Sequence, residues 1–327
     1  MEGSSANRHS SVGCAARTDT YGALTSRCAR RTLRPGGENK NNDDEERKME
    51  FVSRGNCIHY RRWWVEGAVG VLVISHGLGE HSGRYRQLAR YFNRVGFSVY
   101  ALDHFGHGQS DGVRGHIDDF ALYSEDLHNF TRLVKRDNPG KAVHLLGHSM
   151  GGVIACGCEV RYGGADSLIL SAPAFRGGRE PGRGERWLLR HLARIAPRLT
   201  LPNRIDPRWL SRDPAVVEAY RADDLVHGRV SAGWFAAFLR EREFLYPRLE
   251  RIAEPCLLLL PETDRLVDSA TARRWFGQIG SEVKVLHSFP AAYHELFNEV
   301  EEGPQAIDLL LQHLRSLLPL PDAAASG

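Results

Sequence analysis

The sequence predicts an α/β fold, a mostly parallel sheet with helices on both faces, and two observations carry that prediction. Short apolar runs suited to strands buried on both faces recur along the chain, and amphipathic stretches of helix length separate them. The runs are GVLVISHG (70–77), FSVYALDH (97–104), AVHLLGHS (142–149), SLILSAP (167–173), PCLLLLP (255–261) and VKVLHSF (283–289). Helical periodicity lies between the first four, over 84–95, 118–136 and 150–162, and returns over 270–278 and 304–318. Strands joined through helices pair in parallel, because the crossover brings the chain back to the edge it started from. The alternation breaks over 175–246, where stretches such as ERWLLRHLARIA and AGWFAAFLREREF read as helices. An insertion that follows a strand end lies over the carboxyl edge of the sheet, where α/β sheets bind ligands. The domain plan is therefore a core of 49–174 and 247–327 carrying a helical cap of 175–246.

Residues 1–48 are read as a disordered extension. Within it GGENKNNDDEERK has no apolar side chain to bury, and 1–36, rich in Arg and Ser, bears a weak likeness to an organelle transit peptide. The whole chain of 327 residues is 42% hydrophobic, enough for a sizeable core. Lys and Arg number 43 against 40 Asp and Glu, so the near-neutral balance gives no reason to expect a nucleic-acid partner. No apolar run reaches the length of a membrane-spanning helix, which implies a soluble or surface-resting protein. The cysteines (Cys14, Cys28, Cys57, Cys156, Cys158, Cys256) form no C-x-x-C pair and read as reduced thiols, pointing to a cytoplasmic location.

Chemistry enters at GHSMG (147–151), a G-x-S-x-G pattern at a strand-to-helix junction. The flanking glycines let neighbouring backbone pass close to a tight turn, so that Ser149 projects above the sheet edge with a helix N-terminus behind it. A serine capping a helix after a strand would fit the same position. A hydroxyl becomes a nucleophile only when a base takes its proton, and the base needs a carboxylate to fix its tautomer. In this architecture the order is serine, acid, histidine, and the loops after the next strands supply Asp264 in PETDRLVD and His294 in AAYHELFNE. Asp268, one turn beyond Asp264, reads as a helix cap; His148 would point away from the serine; His287 falls in a strand and His313 in the last helix. The oxyanion needs two backbone donors, Met150 after the serine and Leu78 in SHGLGEHSGRY, where Gly77 and Gly79 let the amide turn inward. His76, His81, His104 and His107 form no H-E-x-x-H arrangement, so neither a metal nor a cofactor is expected.

These residues together resemble a known family. HGLGEHSGRY (76–85), LDHFGHGQSDGVRG (102–115), GHSMGG (147–152), LILSAPA (168–174), TDRLVD (263–268) and YHELFNE (293–299) are similar to motifs of the α/β-hydrolase fold, in its monoacylglycerol lipase and lysophospholipase branch. HELFNE is closer to bacterial and plant members. The resemblance spans 51–318 and implies a Ser149, Asp264, His294 triad with Leu78 and Met150 as oxyanion donors, acting on a medium- or long-chain lipid ester. It also implies that the inner face of the cap forms an acyl tunnel, with Trp187, Leu192, Trp234 and Phe238 as candidates. The same side chains could instead bind cap to core. Glu80 and Arg84 match residues near the polar end of the family's site, or pair with each other to hold the loop. Phe297 stands where animal monoacylglycerol lipases carry a second histidine that lines the glycerol end. On the cap, Arg186, Arg190 and Arg194 share one helical face and Leu188, Leu192 and Ile195 another, a pattern that suits either an anionic lipid surface or ordinary solvation. An acyltransferase or thioesterase would use the same triad, and a binding protein on a hydrolase scaffold is the non-enzymatic alternative. The sequence sets no oligomeric state.

Overall fold

In the computed structural model, residues 46–178 and 182–318 are described. The core strands are β1 (Glu46–Ser53), β2 (Asn56–Trp63), β3 (Gly70–Ser75), β4 (Phe97–Leu102), β5 (Val143–His148) and β6 (Ser167–Ser171). A short pair follows, β7 (Thr200–Pro202) and β8 (Arg229–Ser231), before β9 (Cys256–Pro261) and β10 (Lys284–Phe289) return to the core. The main sheet has eight strands in the order β1-β2-β4-β3-β5-β6-β9-β10. From β4 to β10 every pairing is parallel, and only β1 and β2 run antiparallel to their neighbours. The helices are α1 (Arg86–Arg94), α2 (Ala121–Asp137), α3 (Met150–Arg161), α4 (Arg183–Ile195), α5 (Pro214–Arg221), α6 (Ala232–Leu245), α7 (Ser269–Gly277) and α8 (Glu302–Ser316).

Each apolar run in the sequence forms a strand, and each predicted core helix forms. The central strands are buried along their whole length and send alternate side chains to opposite faces. Val71, Val73, Leu145, Leu168, Leu170, Leu258 and Leu260 join one cluster with α2, α3 and α7 side chains. Leu72, Ile74, Leu146, Ile169, Leu257 and Leu259 join the other, against α1 and α8. Burying each such side chain contributes roughly 2 kcal/mol, which is why the register of these strands is fixed: a one-residue slip would exchange the two clusters.

Two departures from the sequence reading occur. Glu46, Arg47 and Lys48 belong to β1 and pair with Trp63, Arg62 and Arg61, so the extension read over 1–48 overlaps the first strand; its remainder lies outside the described residues. The β1–β2 hairpin turns on Arg54 and Gly55, both with positive φ (51° and 76°), a tight turn whose twist suits antiparallel strands. The cap also contains the β7–β8 pair, three residues on each side and too short to stand out as strand runs in the sequence.

One buried group sits in α3 away from the sheet edge. Glu159 accepts from the Ala165 amide (3.3 Å) through Oε2, while Oε1 is buried with no hydrogen-bond partner. Burial, and then the charge of Glu254, push its carboxyl from 4.5 up to about 7. A carboxyl raised in the folded state stabilises below its unfolded pKa, and that contribution is lost as pH rises through the folded value. Glu159→Gln is therefore expected to be more stable than wild type above pH 7, by up to about 3 kcal/mol, and to lose that advantage near pH 4.5. Thermal melts of both proteins across that range test this, and a constant difference in Tm would contradict it.

Candidate active site

Ser149 is the junction between β5 and α3, held at φ 54° and ψ −119°. That backbone region disfavours any side chain, costs about 1–3 kcal/mol, and persists only when the surroundings enforce it. Here they do. The Ser149 amide donates to the Ser171 carbonyl (3.0 Å), and the Ser149 carbonyl accepts from Gly152 (3.0 Å) and Ala174 (2.9 Å). The glycines are required by close approach: a Cβ on Gly147 would lie 2.6 Å from the Gly151 oxygen, and one on Gly151 only 2.0 Å from the Ser75 oxygen. The turn thus wedges β5, α3 and the end of β3 together and leaves Ser149 slightly exposed, at 8%.

Asp264 follows β9 and His294 follows β10, neighbouring parallel strands, so both loops emerge at the same edge. The fold brings the two side chains together, with His294 Nδ1 2.6 Å from Asp264 Oδ2. The other carboxylate oxygen accepts from the Leu266 and Val267 amides (2.8 and 3.1 Å), which fixes the carboxylate before it meets the ring. With Nδ1 donating to the carboxylate, the basic lone pair lies on Nε2. Burial opposes a charged imidazole, but the Asp264 charge and hydrogen bond, with Glu295 and Glu80 further off, outweigh it and raise the His294 pKa above its ordinary 6.5. Asp268 is the cap of α7, accepting from the Thr271 amide (2.6 Å), as its position suggested. His148 has a part the sequence did not disclose: its ring lies against that of His294, centroids 4.8 Å apart. Burial and the neighbouring His294 hold its pKa down at about 3, so it packs as a neutral ring.

The loop after β3 is shaped by its own side chains. His76 Nε2 accepts from the His104 amide (2.9 Å), which leaves Nδ1 to donate to the Gly77 carbonyl (2.7 Å). Glu80 Oε1 accepts from the Gly77 amide (2.6 Å) and from the Tyr85 hydroxyl (2.8 Å). Both backbone groups of Gly77 are thus engaged, and Leu78 supplies the next amide along the loop. Met150 opens α3, where the first N–H groups have no partner within the helix.

Residues 67–301 match the family described as serine aminopeptidase, S33. The chain is 37% identical over 235 residues, 71% of its length and 84% of the other's, to a monoacylglycerol lipase of Mycolicibacterium smegmatis. It is 30% identical over 243 residues, 73% of its length and 93% of the other's, to a phospholipase of Bacillus subtilis. Its structure matches that of a monoacylglycerol lipase of Paleococcus ferrophilus with a TM-score of 0.71 at 32% identity, covering 84% of this chain and 99% of that one. The chain belongs to the monoacylglycerol lipase family of α/β-hydrolases. It is a carboxylic ester hydrolase, with the helical cap inserted after β6 that the sequence led us to expect.

Several side chains that the sequence offers as substrate contacts have partners within the protein. Arg84 binds Glu80 (3.2 Å) and both oxygens of Glu295 (2.6 and 2.7 Å), and its guanidinium lies over the Tyr220 ring. Glu80 and Arg84 are thus buried struts between loops, the alternative their spacing allowed. Trp234 and Phe238 stack on each other (centroids 5.1 Å apart) and meet the Phe120 ring edge-on and tilted in the main core cluster, so they join cap to core. Trp187 is 61% exposed, its ring against that of His191, and Leu192 is half-buried. Phe297 lines a cavity of about 20 Å³ together with His148, Glu295, Glu80 and Arg84, and that cavity reaches His148 beside Ser149 without including Ser149, Asp264 or His294. A larger cavity of about 360 Å³, between the β1–β2 turn and residues 105–118, contains neither Ser149, Asp264 nor His294.

Proposed function

We propose that this hydrolase cleaves long-chain monoacyl esters, monoacylglycerol or lysophospholipid, through an acyl-enzyme on Ser149. The observation that carries the reading is the Asp264–His294 hydrogen bond set at the same sheet edge as a serine forced to positive φ. His294 Nε2 takes the hydroxyl proton as Ser149 Oγ attacks the ester carbonyl, and the amides of Leu78 and Met150 hold the oxyanion. The same Nε2–H then protonates the departing alcohol. Water enters, gives its proton to Nε2 and attacks the acyl carbon; collapse releases the fatty acid and returns the proton to Ser149. Asp264 retains the Nδ1–H bond throughout and stabilises the imidazolium between steps. The relatives named a monoacylglycerol lipase and a phospholipase support a monoacyl lipid as substrate.

A second observation favours contact with a lipid surface. On α4 Trp187, Leu188 and Ile195 are 61%, 50% and 80% exposed, and Leu199 just beyond it is also exposed, among Arg183, Arg190, Arg194 and Arg198. Apolar side chains ringed by arginines suit the boundary between anionic headgroups and acyl chains. No described helix is long and apolar enough to cross a membrane.

One panel tests both readings: short p-nitrophenyl esters, monoacylglycerols of increasing length and lysophosphatidylcholine, each with and without phosphatidylserine vesicles. Turnover is expected to peak on long monoacyl esters and to rise on vesicles, with binding to vesicles lost in Trp187→Ala. Turnover confined to short esters would overturn the substrate class. Equal binding of wild type and Trp187→Ala would overturn the docking face.

A further inference from the structure

The loop carrying His294 is bonded to the cap as well as to the sheet. The Leu210 carbonyl accepts from the Glu295 amide (2.7 Å), the Trp209 carbonyl lies 3.5 Å from the His294 amide, and Ser211 Oγ donates to the Asn298 carbonyl (3.0 Å). Arg212 closes the join. Its amide donates to Glu299 Oε1 (3.0 Å) and its Nε to Oε2 (2.7 Å), while a further Nη2 contact reaches Glu302. Glu299 Oε1 also accepts from the amide of Tyr293 (3.2 Å), the residue before His294. The Glu299 side chain has no solvent exposure, against 34% for Arg212. A buried carboxylate is tolerated only when charge and hydrogen bonds surround it, so its three donors fix its position and it in turn fixes theirs.

We infer that Glu299 and Arg212 are positioning residues for His294, so that residues 209–212 of the cap hold the base in register in addition to covering the site. This rests on His294 acting as the base. From the opposite side Arg84 grips Glu295, so the loop is pinned between the cap and the loop after β3. Losing Arg212 leaves Glu299 buried and charged with only backbone donors, and the loop must move to rehydrate it. A displacement near 1 Å at a reacting group lowers rate by roughly a hundredfold.

The test compares Arg212→Ala and the milder Glu299→Gln with wild type. Glu299→Gln keeps an acceptor for the two amides but sets an amide nitrogen against a guanidinium donor. Expected is a fall in kcat of about ten- to a hundredfold for Arg212→Ala and severalfold for Glu299→Gln, with KM within about twofold. The downfield proton resonance of the His294 Nδ1–H bond to Asp264 should broaden or shift in the same order, a change that general destabilisation of a distant segment does not produce. Should Arg212→Ala fail to fold, Glu299→Gln decides alone. Wild-type kcat with an unchanged resonance, or a loss confined to KM, overturns the inference. An inactive wild type would instead refute the ester reading, and the resonance would still report on the join.

Discussion

Ser149→Ala is expected to lower ester turnover by about four to six orders of magnitude while leaving the fold and its Tm nearly unchanged. The two halves of that expectation have separate causes. Turnover falls because no other hydroxyl occupies the tight turn, and the residual rate comes only from substrate binding and the amides of Leu78 and Met150. Stability survives because the contacts of Ser149 with the fold are made by its backbone, to Ser171, Gly152 and Ala174, and alanine keeps them all. Alanine also keeps the Cβ, so the positive φ remains strained. Ser149→Gly would relieve it, and should be inactive yet more stable by about 1 kcal/mol. Melting curves, ester turnover and fluorophosphonate labelling of the three proteins check these expectations together. Residual turnover in Ser149→Ala above about 1% of wild type would remove Ser149 from the role of nucleophile, since loss of a serine nucleophile costs far more.

The parts of this molecule that were legible in sequence are those with a short-range signature. Strands buried on both faces are mostly apolar without alternation, so β3, β4, β5, β6 and β9 stand out as near-continuous apolar runs. GHSMG is legible because the close approach of Gly151 to the Ser75 oxygen tolerates only glycine. Asp264 and His294 follow from chain order once the strands are placed. β1 and β2 form the antiparallel edge and carry charged side chains among the apolar ones, which dilutes the run; the signal that could have found them was the Arg54–Gly55 turn between Val52 and Ile58. The Glu80–Arg84 pair is local and its spacing was legible, but the further partners of Arg84 and Glu299 depend on contacts between segments far apart in sequence. Arg84 and Glu295 are 211 residues apart, and nothing local marks them as partners. The same reason explains Trp234 and Phe238: amphipathic spacing shows that a face is buried, and does not tell whether lipid or Phe120 covers it.

Asp264→Asn separates the chemistry from the electrostatics. Turnover at neutral pH is expected to fall about ten-thousandfold, because an amide can offer its N–H to Nδ1 and thereby stabilise the tautomer whose proton sits on Nε2, where the base must be free. The pH profile of the residual activity should also move. In wild type, kcat/KM is expected to rise as His294 loses its proton, at a pKa held above 6.5 because Asp264 outweighs the effect of burial. Without the carboxylate charge, burial acts with less opposition and the acidic limb shifts to lower pH. Glu295→Gln, which removes a weaker contributor, should shift the limb in the same direction by less. Stability follows with its own sign. A histidine whose folded pKa is raised stabilises below its unfolded pKa, and that contribution is lost as pH rises through the folded value. The deficit in Tm of Asp264→Asn relative to wild type should therefore be larger at pH 6 than at pH 9. A limb that stays in place in Asp264→Asn would mean that the group titrating in the pH profile is not His294, and the assignment of the base would have to be given up.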